Sequence, residues 1–551
     1  MSNQLRSQVR SVAHAAITVS LVSTLAGCGL LGRELAGAPE EPKADIKSEQ
    51  QVQPTAVADG DAYCEEAING LDIAEPYVPE YPGPDYSTEE YAALEEQGFV
   101  SAATRPLSTV SADVDTASYA NLRRMLRDGW TAEEIDAGAV RIEEMLNYFS
   151  YDYAAPEGDD LFGVTVHVGD CPWNDQTKLV TLGFATAPEA TSISEKGSNL
   201  VFLIDVSGSM NSDDKLGLLK DAFGELVSHL GENDRVSIVT YAGGEEVVLE
   251  GARGDQQGKI MRAIRRLRAE GSTNGEAGLQ KAYEVARRYY IEGGVNRIVM
   301  ASDGDLNVGM TSESDLHDYV DQQRETGVYL SVLGFGSGNY KDNKMETLAD
   351  HGNGSYHYID CVEEAERVLG ERLMANLVPL ADDVKVQVEF NPATVKGYRL
   401  IGYENRAMAD EDFRDDEKDA GDVGPGAQFT VAYEVALVDS DQEIGQTDLK
   451  YGQDAPAGDH GNEWLTATVR YQPADGSDVR EQVQVVGAAN ARRNPGNDWH
   501  FQAAVIELGM LLRGSDYAGT SDYDSIRELL GKAGATAQVD ELAELADLAL
   551  G

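Results

Sequence analysis

From residue 198 to residue 375, short apolar runs alternate with amphipathic helical patterns, and this alternation constrains the fold more than any other feature of the chain. The runs are NLVFLID (199–205), RVSIVTYA (235–242), EEVVLE (245–250), NRIVMAS (296–302), VYLSVLGF (328–335) and GSYHYI (354–359). Helical spacing fills 214–230, 255–269, 275–291, 313–326, 343–350 and 362–375. Strands separated by helices of this length cannot pair as hairpins. They imply an α/β fold with a doubly wound, mostly parallel sheet and helices on both faces. EEVVLE follows its neighbour too closely for a helical crossover and is expected as an antiparallel edge strand. The alternation supplies a complete two-faced core, so this domain is expected to fold without its neighbours.

The flanks differ in pattern. Residues 85–195 read as an N-terminal α/β domain. It has a helix through EEYAALEEQG after Thr88, helices over 116–128 and around Ile142–Phe149, and strands at 163–168 and 179–185. Residues 376–551 read as a C-terminal β-sandwich-like domain with terminal helices. Alternating segments at 384–390, 429–437, 464–472 and 481–487 supply the strands. DWHFQAAVIELGMLLR (498–513) is too apolar all round for a surface helix and must be buried. Helical patterns at 522–532 and 537–550 close the chain. The expected plan is therefore 1–27, 28–84, 85–195, 196–375 and 376–551.

Chemistry concentrates at strand ends of the alternating region. Asp205-Val206-Ser207-Gly208-Ser209 follows its first strand, Thr273 lies in a loop opening a helix, and Asp303 stands just past NRIVMAS. In sheets of this class, ligands sit beyond the carboxyl ends of strands, where these loops meet. Two carboxylates and three hydroxyls form an oxygen-only donor set suited to a hard cation, Mg²⁺ first, with Mn²⁺ or Ca²⁺ as alternatives. The DxSxS run, the Thr loop and the Asp after the fourth strand resemble the metal-ion-dependent adhesion site of von Willebrand factor type A domains. The resemblance implies that Ser207 and Ser209 ligate the metal directly. It also implies that Thr273, Asp205 and Asp303 do so directly or through water, and that one position stays open for an acidic group of a partner. Residues 87–126 and 383–406 are similar to the flanking regions of the YfbK-like group of bacterial exported type A proteins. Asp205 and Asp303 aim at one small volume, so one of the two carboxyls is expected to hold its proton more tightly. Replacing Asp303 is then expected to remove a repulsion rather than a contact.

Arg6, Arg10, the apolar stretch 11–24 and Leu25-Ala26-Gly27-Cys28 resemble the export signal and lipobox of bacterial lipoproteins. The resemblance implies a signal peptide over 1–27 and a lipid on Cys28. Residues 28–84, poor in apolar period, read as a flexible linker. The expected location is the cell envelope, lipid-anchored and extracytoplasmic, on the outer membrane if the bacterium has one. No other stretch is apolar enough to span a bilayer.

Acidic residues outnumber basic ones 96 to 44, a formal charge of −52, which argues against nucleic acid as a partner. Gly254–Ile260 is a failed phosphate loop and Asp439–Glu443 a failed calcium loop. The acidic run Asp410–Asp422 reads as a solvated loop, and Arg253-Gly254-Asp255 as a chance tripeptide. No G-x-S-x-G or HExxH motif is present. The chain is therefore expected to be no enzyme but a binder of a protein or other ligand that offers a carboxylate. Two alternatives stand beside this reading: a scaffold or sensor subunit of an envelope complex, and an accessory subunit of an enzyme. Among Cys64, Cys171 and Cys361 no disulfide pairing follows from the sequence.

Overall fold

The computed structural model describes residues 88–188, 196–304, 313–416, 418–445 and 461–551. Cys28, Cys64, the leader and the linker lie outside the described residues. No described helix is long and apolar enough to cross a membrane.

The N-terminal flank carries β1 (Val100–Ser101), β2 (Leu107–Ser111), α1 (Ala117–Arg127), α2 (Ile142–Tyr148), β3 (Phe162–Asp170) and β4 (Lys178–Thr186). The central region follows with β5 (Ser198–Asp205), α3 (Leu218–Ser228), β6 (Arg235–Tyr241), β7 (Glu245–Arg253), α4 (Gln257–Arg266), α5 (Gly275–Arg288) and β8 (Val295–Ser302). It continues through α6 (Glu313–Arg324), β9 (Tyr329–Phe335), α7 (Asp342–His351), β10 (Tyr356–Ile359), α8 (Val362–Glu366) and α9 (Leu373–Leu377). The C-terminal flank adds β11 (Ala381–Phe390), β12 (Val395–Ile401), β13 (Ala407–Met408), β14 (Gly421–Val423), β15 (Gln428–Leu437), β16 (Glu463–Pro473) and β17 (Arg480–Gly487). Three helices end it, α10 (Asn497–Arg513), α11 (Tyr523–Ala533) and α12 (Ala537–Leu550).

The central sheet has the order β10-β9-β8-β5-β6-β7. All its pairings are parallel except β6 with β7, the antiparallel edge. Every residue of β5 and β8 is buried, because the sheet is covered on both faces and a central strand has no solvent side. The fold class is α/β, as its pattern predicts.

The two flanks are not separate domains, which corrects the expected division into 85–195 and 376–551. One sheet has the order β1-β12-β15-β4-β3 and the other β13-β2-β11-β16-β17, so each interleaves strands from both ends of the chain. β4 pairs along its length with β15, Gln428 opposite Ala185 through Val435 opposite Lys178. β2 pairs with β11, Val110 opposite Val386. A two-stranded hairpin such as β3–β4 is marginal alone, and β15 and β12 complete its sheet. The sandwich core mixes Val180, Leu182 and Phe184 with Val386, Val388, Tyr433 and Val469. A second core packs α1 and α2 against α10, α11 and α12, with Trp499, Val505 and Ile506 of α10 buried as expected.

The expected helix over residues 88–98 is absent. The segment runs extended along the loop before α7. Thr88 N–H donates to the Gly338 carbonyl at 2.8 Å, and Glu90 N–H to that of Tyr340 at 2.9 Å. Glu89 accepts from Arg124 at 2.9 Å and Glu90 pairs with Lys341 at 2.7 Å. These tertiary partners outweigh a helix propensity worth only tenths of a kcal/mol per residue. The central region is also less self-contained than expected. Ala117 and Ala120 of α1 belong to one of its cores. The edge strand β10 is covered by the N-terminal flank, whose Asp115 carboxylate accepts Tyr356 N–H at 2.7 Å.

Candidate cation and ligand site

Asp205 ends β5, fully buried, and its two oxygens are both committed. Oδ1 accepts the Ser207 N–H at 2.8 Å, which folds the chain into a tight turn. Oδ2 accepts the Ser302 hydroxyl at 3.1 Å, tying β5 to the end of its parallel neighbour β8. Ser302 Oγ in turn accepts the Gly304 N–H at 3.1 Å, so the turn holding Asp303 is folded onto the same spot. The hydroxyls of Ser207, buried, and Ser209, exposed, lie 3.0 Å apart.

The Thr273 loop is pinned from the other side. Gly208 N–H donates to the Gly271 carbonyl at 3.0 Å, and Glu270 N–H to that of Val206 at 2.8 Å. Gly271 takes a left-handed φ of +89°, the backbone geometry that favours glycine. Thr273 is half-buried at the end of this loop, directly before Asn274, whose side chain caps α5 through the Ala277 N–H. The fold thus gathers all five sequence-predicted positions at the carboxyl end of the central sheet. Asp205, Ser207 and Ser209 share one turn, Asp303 directly follows Ser302, which is bonded to it, and Thr273 stands two residues past Gly271, whose carbonyl accepts the Gly208 N–H.

Burial pushes the Asp205 carboxyl up to about 6; hydrogen bonds from Ser207 oppose the rise and the charge of Asp303 adds to it. Among the described residues, no group of three or more His, Cys, Asp or Glu is placed to hold a metal. A cation at Asp205 would take the rest of its shell from hydroxyls and water, a donor set of hard oxygens only. The residues fit such an ion: a buried carboxylate, a pair of hydroxyls at contact distance, and a second carboxylate whose field reaches the first.

One participant was not foreseen. Lys215, in a π-turn over Asp213–Gly217 that leads into α3, places Nζ 3.0 Å from Asp303 Oδ2 and 2.9 Å from Asn339 Oδ1. Asp303 therefore has a basic partner, which corrects the expectation that it meets only repulsion. Nothing in the sequence separates this lysine from a solvated helix-start residue, because only the fold carries its stem inward.

The remaining candidates resolve into structure. Arg253 pairs with Asp255 of its own tripeptide at 2.6 Å. Cys171 and Cys361 are free thiols, and burial pushes both up. His357, fully buried, lies 2.9 Å from Thr116 Oγ1, and burial pushes it down to about 3. A cavity of about 240 Å³ lies away from Asp205, between the central region and the flanks, bordered by Asp113, Asp115, Asp350, Arg406 and Asp422.

Three family descriptions match parts of the chain. They are "von Willebrand factor" over residues 85–181, "von Willebrand factor type A domain" over 200–305 and "Uncharacterized protein YfbK, C-terminal" over 375–549. Among solved structures, a von Willebrand factor type A protein from Catenulispora acidiphila is 16% identical, with a TM-score of 0.40 over 72% of this chain and 89% of its own. An uncharacterized protein of Synechocystis, sll0103, is 30% identical over 30% of this chain and 39% of its own length. The uncharacterized protein YfbK of Escherichia coli K12 is 39% identical over 476 residues, 84% of this chain and 81% of that protein. With a type A domain in its centre and both flanks matched, the chain belongs to the YfbK family.

Proposed function

We propose that the chain is a cell-envelope protein that binds a protein, or another ligand offering a carboxylate, through a divalent cation held at Asp205, Ser207, Ser209, Thr273 and Asp303. Type A domains commonly mediate protein interactions, and that coarser role is the one the family supports. The observation that carries the finer reading is the convergence at the end of β5. Asp205, Ser207, Ser209 and Ser302 form one hydrogen-bonded cluster, Asp303 directly follows Ser302, and the exposed Ser209 opens the cluster to solvent. When bound, the ion supplies a positive centre with an oxygen-seeking coordination position. This chain's residues hold and orient it: Asp205 fixes the turn, the Ser207 and Ser209 hydroxyls lie side by side next to it, and Ser302 ties the strand end before Asp303 to β5. Mg²⁺ suits the site best, because few carboxylates and several neutral oxygens match its small, hydrated shell. Anchoring through a lipid on Cys28, on the extracytoplasmic side and on the outer membrane where there is one, completes the proposal.

Isothermal titration of the full chain with Mg²⁺ and Mn²⁺ tests the site. Wild type is expected to bind one ion, and Ser207→Ala with Ser209→Ala to abolish binding with the fold intact by circular dichroism. A double variant that binds like wild type would overturn the assignment. For the anchor, Cys28→Ser is expected to move the protein from the membrane to the soluble fraction.

A further inference from the structure

Lys215 stands where the cation reading expects nothing basic. Its ammonium lies 3.0 Å from Asp303 Oδ2 and 2.9 Å from Asn339 Oδ1. Lys215 is 6% exposed and Asp303 fully buried. The lysine stem is accommodated as deliberately as its head. It crosses Gly336, which has a left-handed φ of +74°; a Cβ there would lie 2.2 Å from the lysine Cγ and 2.3 Å from its Cε. Any other residue at 336 would be strained and would push the lysine aside. Asn339, three positions on, supplies the neutral oxygen that holds the ammonium once the stem has passed.

We propose that Lys215 is a resident counter-cation of the site, which pairs with Asp303 and competes with the divalent ion for that carboxylate. This rests on the reading of Asp205, Ser207, Ser209, Thr273 and Asp303 as the cation site. The physical reason is charge sharing. A divalent ion beside Asp205 and an ammonium on Asp303 are like charges in a buried space, where screening is weak and repulsion large. Binding the metal must either displace the ammonium or tolerate it, and both weaken affinity. In the absence of metal the same ammonium offsets part of the cost of holding the Asp303 charge in a buried place. The lysine therefore lets one site exist in two states: closed on itself, or loaded at high cation concentration. The consequence is a binder whose engagement tracks the divalent-ion concentration outside the cell rather than one permanently charged with metal.

The test compares Mn²⁺ titrations and thermal melts of the full-length wild type, Lys215→Met and Asn339→Ala. Methionine keeps most of the stem's volume and removes the charge. Lys215→Met is expected to bind Mn²⁺ about tenfold more tightly or better, because the competitor is gone. In EDTA it is expected to melt below wild type and to gain more from Mn²⁺ than wild type does. Asn339→Ala, which removes one acceptor of the ammonium and the 3.4 Å donation of Asn339 Nδ2 to Asp303 Oδ2 while leaving every charge in place, is expected to tighten binding in the same direction but less. It also keeps the proposal testable if Lys215→Met does not fold. Unchanged or weaker binding in both variants would overturn the proposal and make Lys215 a buttress that positions Asp303 for the metal. No binding by wild type or either variant would overturn the cation site itself. The EDTA melts would then still report whether the buried pair stabilises the fold.

Discussion

The central sheet and the sandwich beside it are built by opposite means. The central sheet takes all its strands from one contiguous stretch, and every helical crossover except that from β7 to β8 leads to the neighbouring strand. Its interior strands β5 and β8 are buried on both faces, since helices cover both. The sandwich takes strands from both ends of the chain and pairs them antiparallel, so neither end can fold into it alone. Local construction leaves a pattern in the sequence, whereas non-local construction leaves only its parts.

The two regions meet across a buried acidic seam, and that seam is where the comparison breaks most readily. Asp342, Glu346 and Asp350 are spaced four apart on one face of α7. They meet Arg141 and Arg406 from the flanks. Arg141 pairs with Glu144 and Asp342, and Arg406 pairs with Asp350 at 2.6 Å and with Asp115 at 3.0 Å. Arg141 and its partners are almost completely buried. Arg141→Met should therefore deprive three carboxylates, Glu144, Asp342 and Glu346, of their shared cation and cost about 3–5 kcal/mol, the typical penalty for breaking a buried pair from one side. Urea melts followed by near-ultraviolet and far-ultraviolet signals would check this. If the two regions are coupled through the seam, both signals shift together. A loss confined to one transition would show that they unfold independently.

Asp303→Ala tests the same contrast at the site. With Lys215 buried beside it, the substitution leaves an ammonium whose remaining partner is Asn339. The expected cost in EDTA is about 3 kcal/mol, read as a lowered melting temperature. Equal melting of variant and wild type would restore the view that Asp205 and Asp303 merely repel.

The smallest effect is one of pH. Glu143 is fully buried, with neither carboxyl oxygen hydrogen-bonded. Burial first, then the charges of Glu404 and Asp113, pushes it up to about 8. Its folded form thus keeps a proton that the unfolded chain loses near pH 4.5. Stability falls as pH rises from about 4.5 to about 8, because over that window the native state binds more protons. Glu143→Gln is expected to flatten this slope by up to one proton and to melt above wild type at pH 8. A slope unchanged by the substitution would place the titration on other members of the seam.

What was legible follows from the same division. NLVFLID could only be an interior strand, and the DxSxS turn after it had only one end of the sheet to occupy. Thr273 and Asp303 were placed by topology, since parallel strands deliver their carboxyl ends to one side. The helix expected over 88–98 failed because Glu89 and Glu90 are claimed by Arg124 and Lys341, partners invisible at local range. The separate flanking domains failed because strand pairing by period has no memory of distance: FTVAYEVAL fits β4 from far away as well as a neighbour would. Lys215 escaped because an ammonium's destination is set by its stem, and the stem's path runs over a glycine far down the chain.

The interleaved sheets also dictate an order of events. Tyr398 donates its hydroxyl to the Arg105 carbonyl, 293 positions away in the chain. Closing so long a loop costs entropy that grows with the logarithm of its length. The central region makes up most of the intervening chain, between β4 and β11 of the sandwich. Once it folds, a long flexible loop becomes a short fixed span that holds the two half-built sheets near each other. The region whose strand ends carry Asp205 and Asp303 thus also spans the gap across which the two sheets are joined. A chain emerging amino-end first can close the β3–β4 hairpin at once, but β1, β2 and the second edge of β4 stay open until β11, β12 and β15 arrive.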